Sequence, residues 1–344
     1  MAWLHRYLRL LTGASLLLIT AGGLVTSTGS GLSVPDWPSS YGYFMYSFPF
    51  SNMVGGIFYE HGHRLIASTV GLMTIGLAVW VTRVDARRWM RRLGWFALVA
   101  VCTQGLLGGL TVIYLLPTPI SVSHAGLAQL FFVLVVSLAI FTSPGWLRGY
   151  DRDAVMRRSI DSDVPLGRMT RLAPLVIFCQ ILVGATMRHT GAGLAIPDFP
   201  WSFGQVIPPV WTVAIGVHYT QRVGAVVVSG IVIAILGHIL AHHRGKQELT
   251  RPALLLGATV LAQVALGAWT VLSQRQVNVN TAHVATGAVL FVTSVVLMLR
   301  VHRDRFPDAA RADRSTVGPF ENAPSVRRAT FSQHSQQGSP GVAL

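Results

Sequence analysis

Charge and cysteine are what this sequence has least of. Only 12% of its 344 residues are charged, and acids are the scarcer sign, with 13 Asp and Glu against 27 Lys and Arg. So few charges at a mean hydropathy of +0.52 exclude a water-soluble globule of this length. The two cysteines, Cys102 and Cys179, stand singly inside apolar stretches without metal-ligand spacing, which excludes a zinc-thiolate site. The net charge of +14 is not a nucleic-acid signal, because the basic residues gather in short clusters between apolar runs, as orientation signals do.

What the sequence does have is apolar length. Runs near 8 to 27, 56 to 82, 93 to 115, 121 to 142, 172 to 189, 213 to 240, 252 to 273 and 280 to 301 each approach the roughly 20 residues that cross a bilayer. They predict eight transmembrane helices. Basic residues mark alternate connections: Arg6 and Arg9, then Arg83, Arg87, Arg88, Arg91 and Arg92, then Arg148 to Arg171, then Arg244, Lys246 and Arg251. Cytoplasmic loops carry such an excess, so both termini are expected in the cytoplasm and the loops at 28 to 55 and 190 to 212 outside. The first run lacks a clear small-residue cleavage site, so it is read as a span rather than a removed signal. From about 302 to 344 the composition turns to Arg, Asp, Ser, Gln and Pro, which predicts a disordered cytoplasmic tail.

The chain also repeats itself. The segment Thr28 to Pro38 (TGSGLSVPDWP) returns as Thr190 to Pro200 (TGAGLAIPDFP), and Gln104 to Val112 (QGLLGGLTV) returns as Gln263 to Val271 (QVALGAWTV). His124 is matched by His283, and Arg64 in Glu60-His61-Gly62-His63-Arg64 by Arg222 in His218-Tyr219-Thr220-Gln221-Arg222. The expected fold is an all-α polytopic membrane protein built by duplication. It has an N-terminal four-helix half at 1 to 142, a cytoplasmic linker at 143 to 171 and a C-terminal four-helix half at 172 to 301. An even number of spans per half inserts both halves in the same direction, as parallel repeats about a pseudo-two-fold axis along the membrane normal.

Helices two, four, six and eight then run inward from the outer face, and His63, His124, His218 and His283 fall in their first one or two turns, at one depth. A lone membrane histidine more often packs or hydrogen-bonds than ligates. Four at one level in a repeated pattern favour ligation, since polar groups in a bilayer turn to the bundle interior. Facing imidazoles in an apolar slot suit a haem better than zinc, which wants four ligands. Arg64 and Arg222 are candidate partners for haem propionates, with snorkelling to the surface as the alternative. Gly108, Gly109 and Gly267 suit close helix approach or an adjacent flat ring. Asp36 and Asp198 read as turn caps, while His5, His61, His238, His242, His243 and His302 need only solvated or interfacial roles.

In combination, Glu60-x-x-His63-Arg64, the two Gly-x-Gly-Leu-x-x-Pro-Asp-x-Pro loops at 29 to 38 and 191 to 200, Ser123-His124-Ala125-Gly126 and Thr281-Ala282-His283 resemble the haem A synthase family over roughly residues 8 to 301. The resemblance implies oxidation of the C8 methyl of haem O to a formyl group, giving haem A for terminal oxidases. Substrate haem would lie in the first half, and a haem b cofactor that relays electrons in the second. It implies His63 and His124 as axial ligands of the catalytic half, with Glu60 as the carboxylate beside the reacting methyl. Three residues apart, Glu60 and His63 share a helix face, and an ion pair of Glu60 with Arg64 is the competing role.

The sequence departs from the family at Gln221, where a histidine is expected. His218 with His283 is the preferred ligand pair for the cofactor, although His218 lies one turn, roughly 5 Å, away. His283 alone, or a site that has lost haem, are the alternatives. The loop cysteines often carried by the family are absent here. Two other classes compete: a quinol-linked bis-histidine cytochrome, which needs no carboxylate at a reacting methyl, and a transporter, whose site would lie nearer the midplane. On the haem A synthase reading the chain resides in a bacterial-type cell membrane and meets lipid and haem O, but not nucleic acid. A haem O-producing farnesyltransferase, an electron acceptor and a second copy of the chain are open candidates as partners.

Overall fold

A bilayer interior offers no water to backbone N–H and C=O groups, so each apolar run must satisfy its own hydrogen bonds as helix. The computed structural model describes residues 1–147, 160, 163–303 and 306 and bears this out. Its long helices are α1 (Ala2–Ser27), α2 (Gly56–Val84), α3 (Arg88–Ile113), α4 (Thr118–Phe141), α5 (Val164–His189), α6 (Val213–His242), α7 (Gln247–Leu272) and α8 (Val277–Val301). All 8 are long and apolar enough to cross a membrane, and the chain is a multi-pass membrane protein. The linker residues 148–159 and 161–162, and the tail from 307, which were expected to be cytoplasmic and, for the tail, disordered, lie outside the described residues.

Several helices outrun the apolar runs at one end. α1 begins at Ala2, α5 at Val164 and α7 at Gln247, taking Arg6, Arg9, Arg168, Arg171 and Arg251 into the helices. Hydropathy measures the thickness of the lipid, whereas arginine is a good helix former that extends a span into the interface.

α1 packs against α2, α4 and α8, α5 against α4, α6 and α8, and α4 against α8. These four helices form the middle of the molecule, with α2, α3, α6 and α7 around them. Most of the fully buried apolar side chains, among them Leu4, Leu8, Leu77, Leu138, Leu166, Ile235, Ile239 and Leu256, belong to one core at the arginine-rich end. That leaves the end bearing the two long loops for polar residues.

Local structure repeats as the sequence does. α1 and α5 each leave through Thr-Gly, with Gly29 at φ 68 and Gly191 at φ 72, a left-handed helix exit that only glycine takes without strain. α3 and α7 close on paired left-handed residues, Leu115 and Leu116, and Gln274 and Arg275. There the Leu116 and Arg275 N–H groups donate back to the Thr111 and Thr270 carbonyls at 2.6 and 2.8 Å, a Schellman closure.

Candidate functional site

Four side chains at the loop end are each seated on a glycine of a neighbouring helix. A methyl placed on Gly22 of α1 would lie 3.1 Å from His63 Cε1, and one on Gly108 of α3 would lie 3.1 Å from His124 Cε1. In the second half, a methyl on Gly184 of α5 would lie 3.0 Å from Gln221 Nε2, and one on Gly267 of α7 would lie 3.2 Å from His283 Cε1. Gly108 and Gly267, which the sequence offers for close helix approach or an adjacent flat ring, are thus imidazole seats; Gly22 and Gly184 do not stand out in the sequence. Nδ1 of His63, His124 and His283, and Oε1 of Gln221, are buried without a hydrogen-bond partner. Buried polar atoms are seldom left so. His124 Nε2 lies 3.4 Å from the Gln104 amide nitrogen, which only donates, so that ring nitrogen carries a lone pair, the form in which an imidazole binds a metal.

One turn before His63 stands Glu60, 4% exposed. Its Oε2 accepts from the Val34 N–H at 2.8 Å and its Oε1 from Arg64 Nη2 at 2.6 Å. Arg64 also donates to the carbonyls of Asp36 (2.7 Å), Ser39 (3.1 Å) and Val34 (2.8 Å). Four of its five N–H groups are therefore committed to the loop and to Glu60. The ion pair that competed with a chemical role for Glu60 is present.

The loop under Arg64 is organised by Asp36, which accepts from the N–H groups of Tyr41 (2.6 Å) and Gly42 (2.9 Å) and from the Ser39 hydroxyl. Burial raises the pKa of this carboxyl, but those three hydrogen bonds outweigh it and bring it to about 2. Asp198 repeats the arrangement with the Phe203 and Gly204 N–H groups, both at 2.8 Å, which lower its pKa. Both aspartates are the turn caps that the sequence predicts. Trp37 lies against α3 so closely that no side chain fits at Gly109. Its counterpart Phe199 instead lies under the Arg222 guanidinium, 5.8 Å from ring centroid to Cζ.

In the second half His218 occupies the place of Glu60. Its Nδ1 accepts from the Ile196 N–H at 3.3 Å, as Glu60 accepts from Val34 N–H, and the ring is 3% exposed. A neutral imidazole that accepts at Nδ1 carries its proton on Nε2, leaving no lone pair for iron. The residue seated as His63 is seated is Gln221. Arg222 donates to the carbonyls of Trp201, Ile196 and Asp198 at 2.6, 3.2 and 2.6 Å, and its Nε is buried without a partner.

Two polar clusters were missed in the sequence. Arg188 of α5 donates to the Gly23 carbonyl (2.7 Å) and the Ser27 hydroxyl (2.8 Å) of α1, and Asn280 and Thr281 of α8 donate to the same hydroxyl. An arginine closing a span at the arginine-poor end was the available signal. At the other end, His238 and His243, expected to be merely interfacial, both place Nε2 2.7 Å from Asp163 Oδ2. Burial raises the Asp163 pKa, but hydrogen bonds from the two rings outweigh it and bring it to about 2. These three residues could hold a metal ion. However, Lys246 Nζ lies 2.9 Å from His243 Nδ1, and an ammonium only donates, so the His243 proton sits on Nε2. The cluster is wired as a hydrogen-bonded tie between α5 and α6. Nothing in a linear sequence brings Asp163 to these histidines. His61 is likewise buried in the loop rather than solvated, with its Nδ1 3.0 Å from Ser40 Oγ.

Known proteins resemble this chain across nearly its full span. A family model described as cytochrome oxidase assembly protein, COX15-CtaA, matches residues 5–295. The heme A synthase of Symbiobacterium thermophilum is 29% identical over 262 residues, covering 75% of this chain and 82% of that protein. The heme A synthase of Shouchella clausii is 29% identical over 295 residues, 84% and 94% of the two chains. That of Geobacillus kaustophilus is 28% identical over 316 residues, 88% and 93% of the two.

Proposed function

The chain belongs to the COX15-CtaA family of cytochrome oxidase assembly proteins, and from that premise we propose that it is a haem A synthase, oxidising the C8 methyl of haem O to a formyl group. The observation that carries this reading is the buried Glu60 carboxylate, held one helical turn from the seated His63 and matched across the first half by the seated His124. A cytochrome that only transfers electrons would need that carboxylate solely as the anchor of Arg64 and of the Val34 N–H. Haem O is the substrate of the first half, with His63 and His124 as its axial ligands.

Conversion of a methyl to a formyl group takes one oxygen from water and releases four protons and four electrons. Removing hydride equivalents builds positive charge on carbon, and each round adds water before the hydrated aldehyde loses one. Glu60 stabilises the developing charge and accepts the proton of the adding water. Arg64 holds this carboxylate in place and ties the Asp36 loop over it, so its part is positioning.

In the second half His283 would hold a haem b cofactor, and Arg222, whose Nε is buried without a partner among the described residues, would be available to a propionate. When bound, such a group accepts electrons one at a time and passes them on. The arginine-rich end faces the cytoplasm, and the two halves act as parallel repeats with divided tasks. The test is co-expression with a haem O-producing farnesyltransferase and mass analysis of the extracted haems. The expected product is haem A, and recovery of haem O alone from a haem-loaded chain would overturn the assignment.

A further inference from the structure

The second half keeps one imidazole seat and fills the other with an amide. We propose that His283 is the sole protein ligand to the cofactor haem iron, and that the opposite face is an open coordination site beside Gln221 that takes a small diatomic molecule or anion. This rests on the reading of the second half as a haem b site.

The seats assign the positions. Gln221 rests on Gly184 as His63 rests on Gly22, and His283 rests on Gly267 as His124 rests on Gly108. Gln221, not His218, therefore stands where a second axial ligand belongs. A neutral amide is a weak ligand to haem iron, whereas imidazole is a strong one. His218 is withdrawn from competition by the Ile196 N–H at its Nδ1, which puts the ring proton on Nε2.

The backbone that carries the amide is tied to α5. The Gln221 backbone carbonyl accepts from Gln180 Nε2 at 2.6 Å, and Gln180 lies against Gly224 so closely that no side chain fits there. The first half has Leu18 and Ile66 at the matching places. The side-chain amide, whose buried Oε1 has no partner among the described residues, can turn either end to a ligand on the iron, donating through Nε2 or accepting through Oε1.

The test uses the full-length chain purified with haem b, without a source of haem O, in a His63→Ala/His124→Ala background that empties the first pair of seats. The expected spectrum is high-spin haem that binds carbon monoxide when reduced and cyanide when oxidised. Gln221→His is expected to convert it to a low-spin haem inert to carbon monoxide, and His218→Ala to leave spin state and haem content unchanged. A low-spin, carbon monoxide-inert haem that turns high-spin in His218→Ala or Gln221→Ala would overturn the proposal, because a second protein ligand would then exist. Haem content unaffected by His283→Ala would overturn both the proposal and the cofactor seat. An open-faced haem in a chain that makes no haem A would instead leave this site standing and remove the enzymatic reading alone.

Discussion

At the loop end the first half sets a carboxylate and then an imidazole on α2, and the second half sets an imidazole and then an amide at the same two places on α6. Much around them is shared: the glycine seats, the arginine that gathers loop carbonyls, the aspartate that caps the loop. On the proposed function the scaffold would fix where a planar group lies, and two substitutions would decide what is done to it. The first half can stabilise charge beside the group it holds. The second has no carboxylate at that place and is suited to holding a resident one.

Removing the carboxylate without changing its shape should have the largest effect. Glu60→Gln is expected to lower haem A formation by roughly 100-fold or more, the scale of a lost acid–base group, while haem bound per chain stays constant. Mass analysis against haem content checks this, and undiminished haem A would make the two halves chemically equivalent. Next in size is the pair that aims the carboxylate. Arg64→Met leaves Glu60 buried and unpaired, a loss of about 3–5 kcal/mol that should appear as a lower thermal midpoint in detergent. Arg222→Met loses loop carbonyls and the Phe199 ring contact but leaves no buried carboxylate unpaired, and should shift the midpoint less.

A smaller contrast tests the aromatic contact with α3. Gly109→Ala drives a methyl into Trp37 and should cost about 1–3 kcal/mol, whereas Ala268→Gly at the matching position should cost about 1 kcal/mol or less, as glycine for alanine in a helix does. Smallest is the pH response of the loop. The Asp36 pKa in the folded chain is about 2 against an ordinary 3.8. Its contribution to loop stability is therefore complete above about pH 4 and lost as pH falls through about 2. Trp37 fluorescence should stay flat down to pH 4, and a transition centred above that would contradict the cap.

How far the sequence reached can be read from particular residues. The spans were legible because lipid imposes a length, and the repeat because the Thr-Gly and Pro-Asp loops serve local backbone geometry that survives divergence. Helix ends were missed by several residues where arginine extends a span past the lipid. His63, His124 and His283 stood out by depth and repetition. His218 was harder to place: a helix shows that it lies one turn from Gln221, but not that the Ile196 N–H claims its Nδ1. The Asp163 tie and the Arg188 bridge were invisible because their partners come from other helices.

The claim of divided labour is tested most directly by counting and weighing the haems carried by His124→Ala and His283→Ala chains co-expressed with a haem O-producing enzyme. The account expects the first to keep haem b and lose haem O and haem A, and the second to lose haem b, keep bound haem O and make little haem A. The same haem complement in both variants would contradict it.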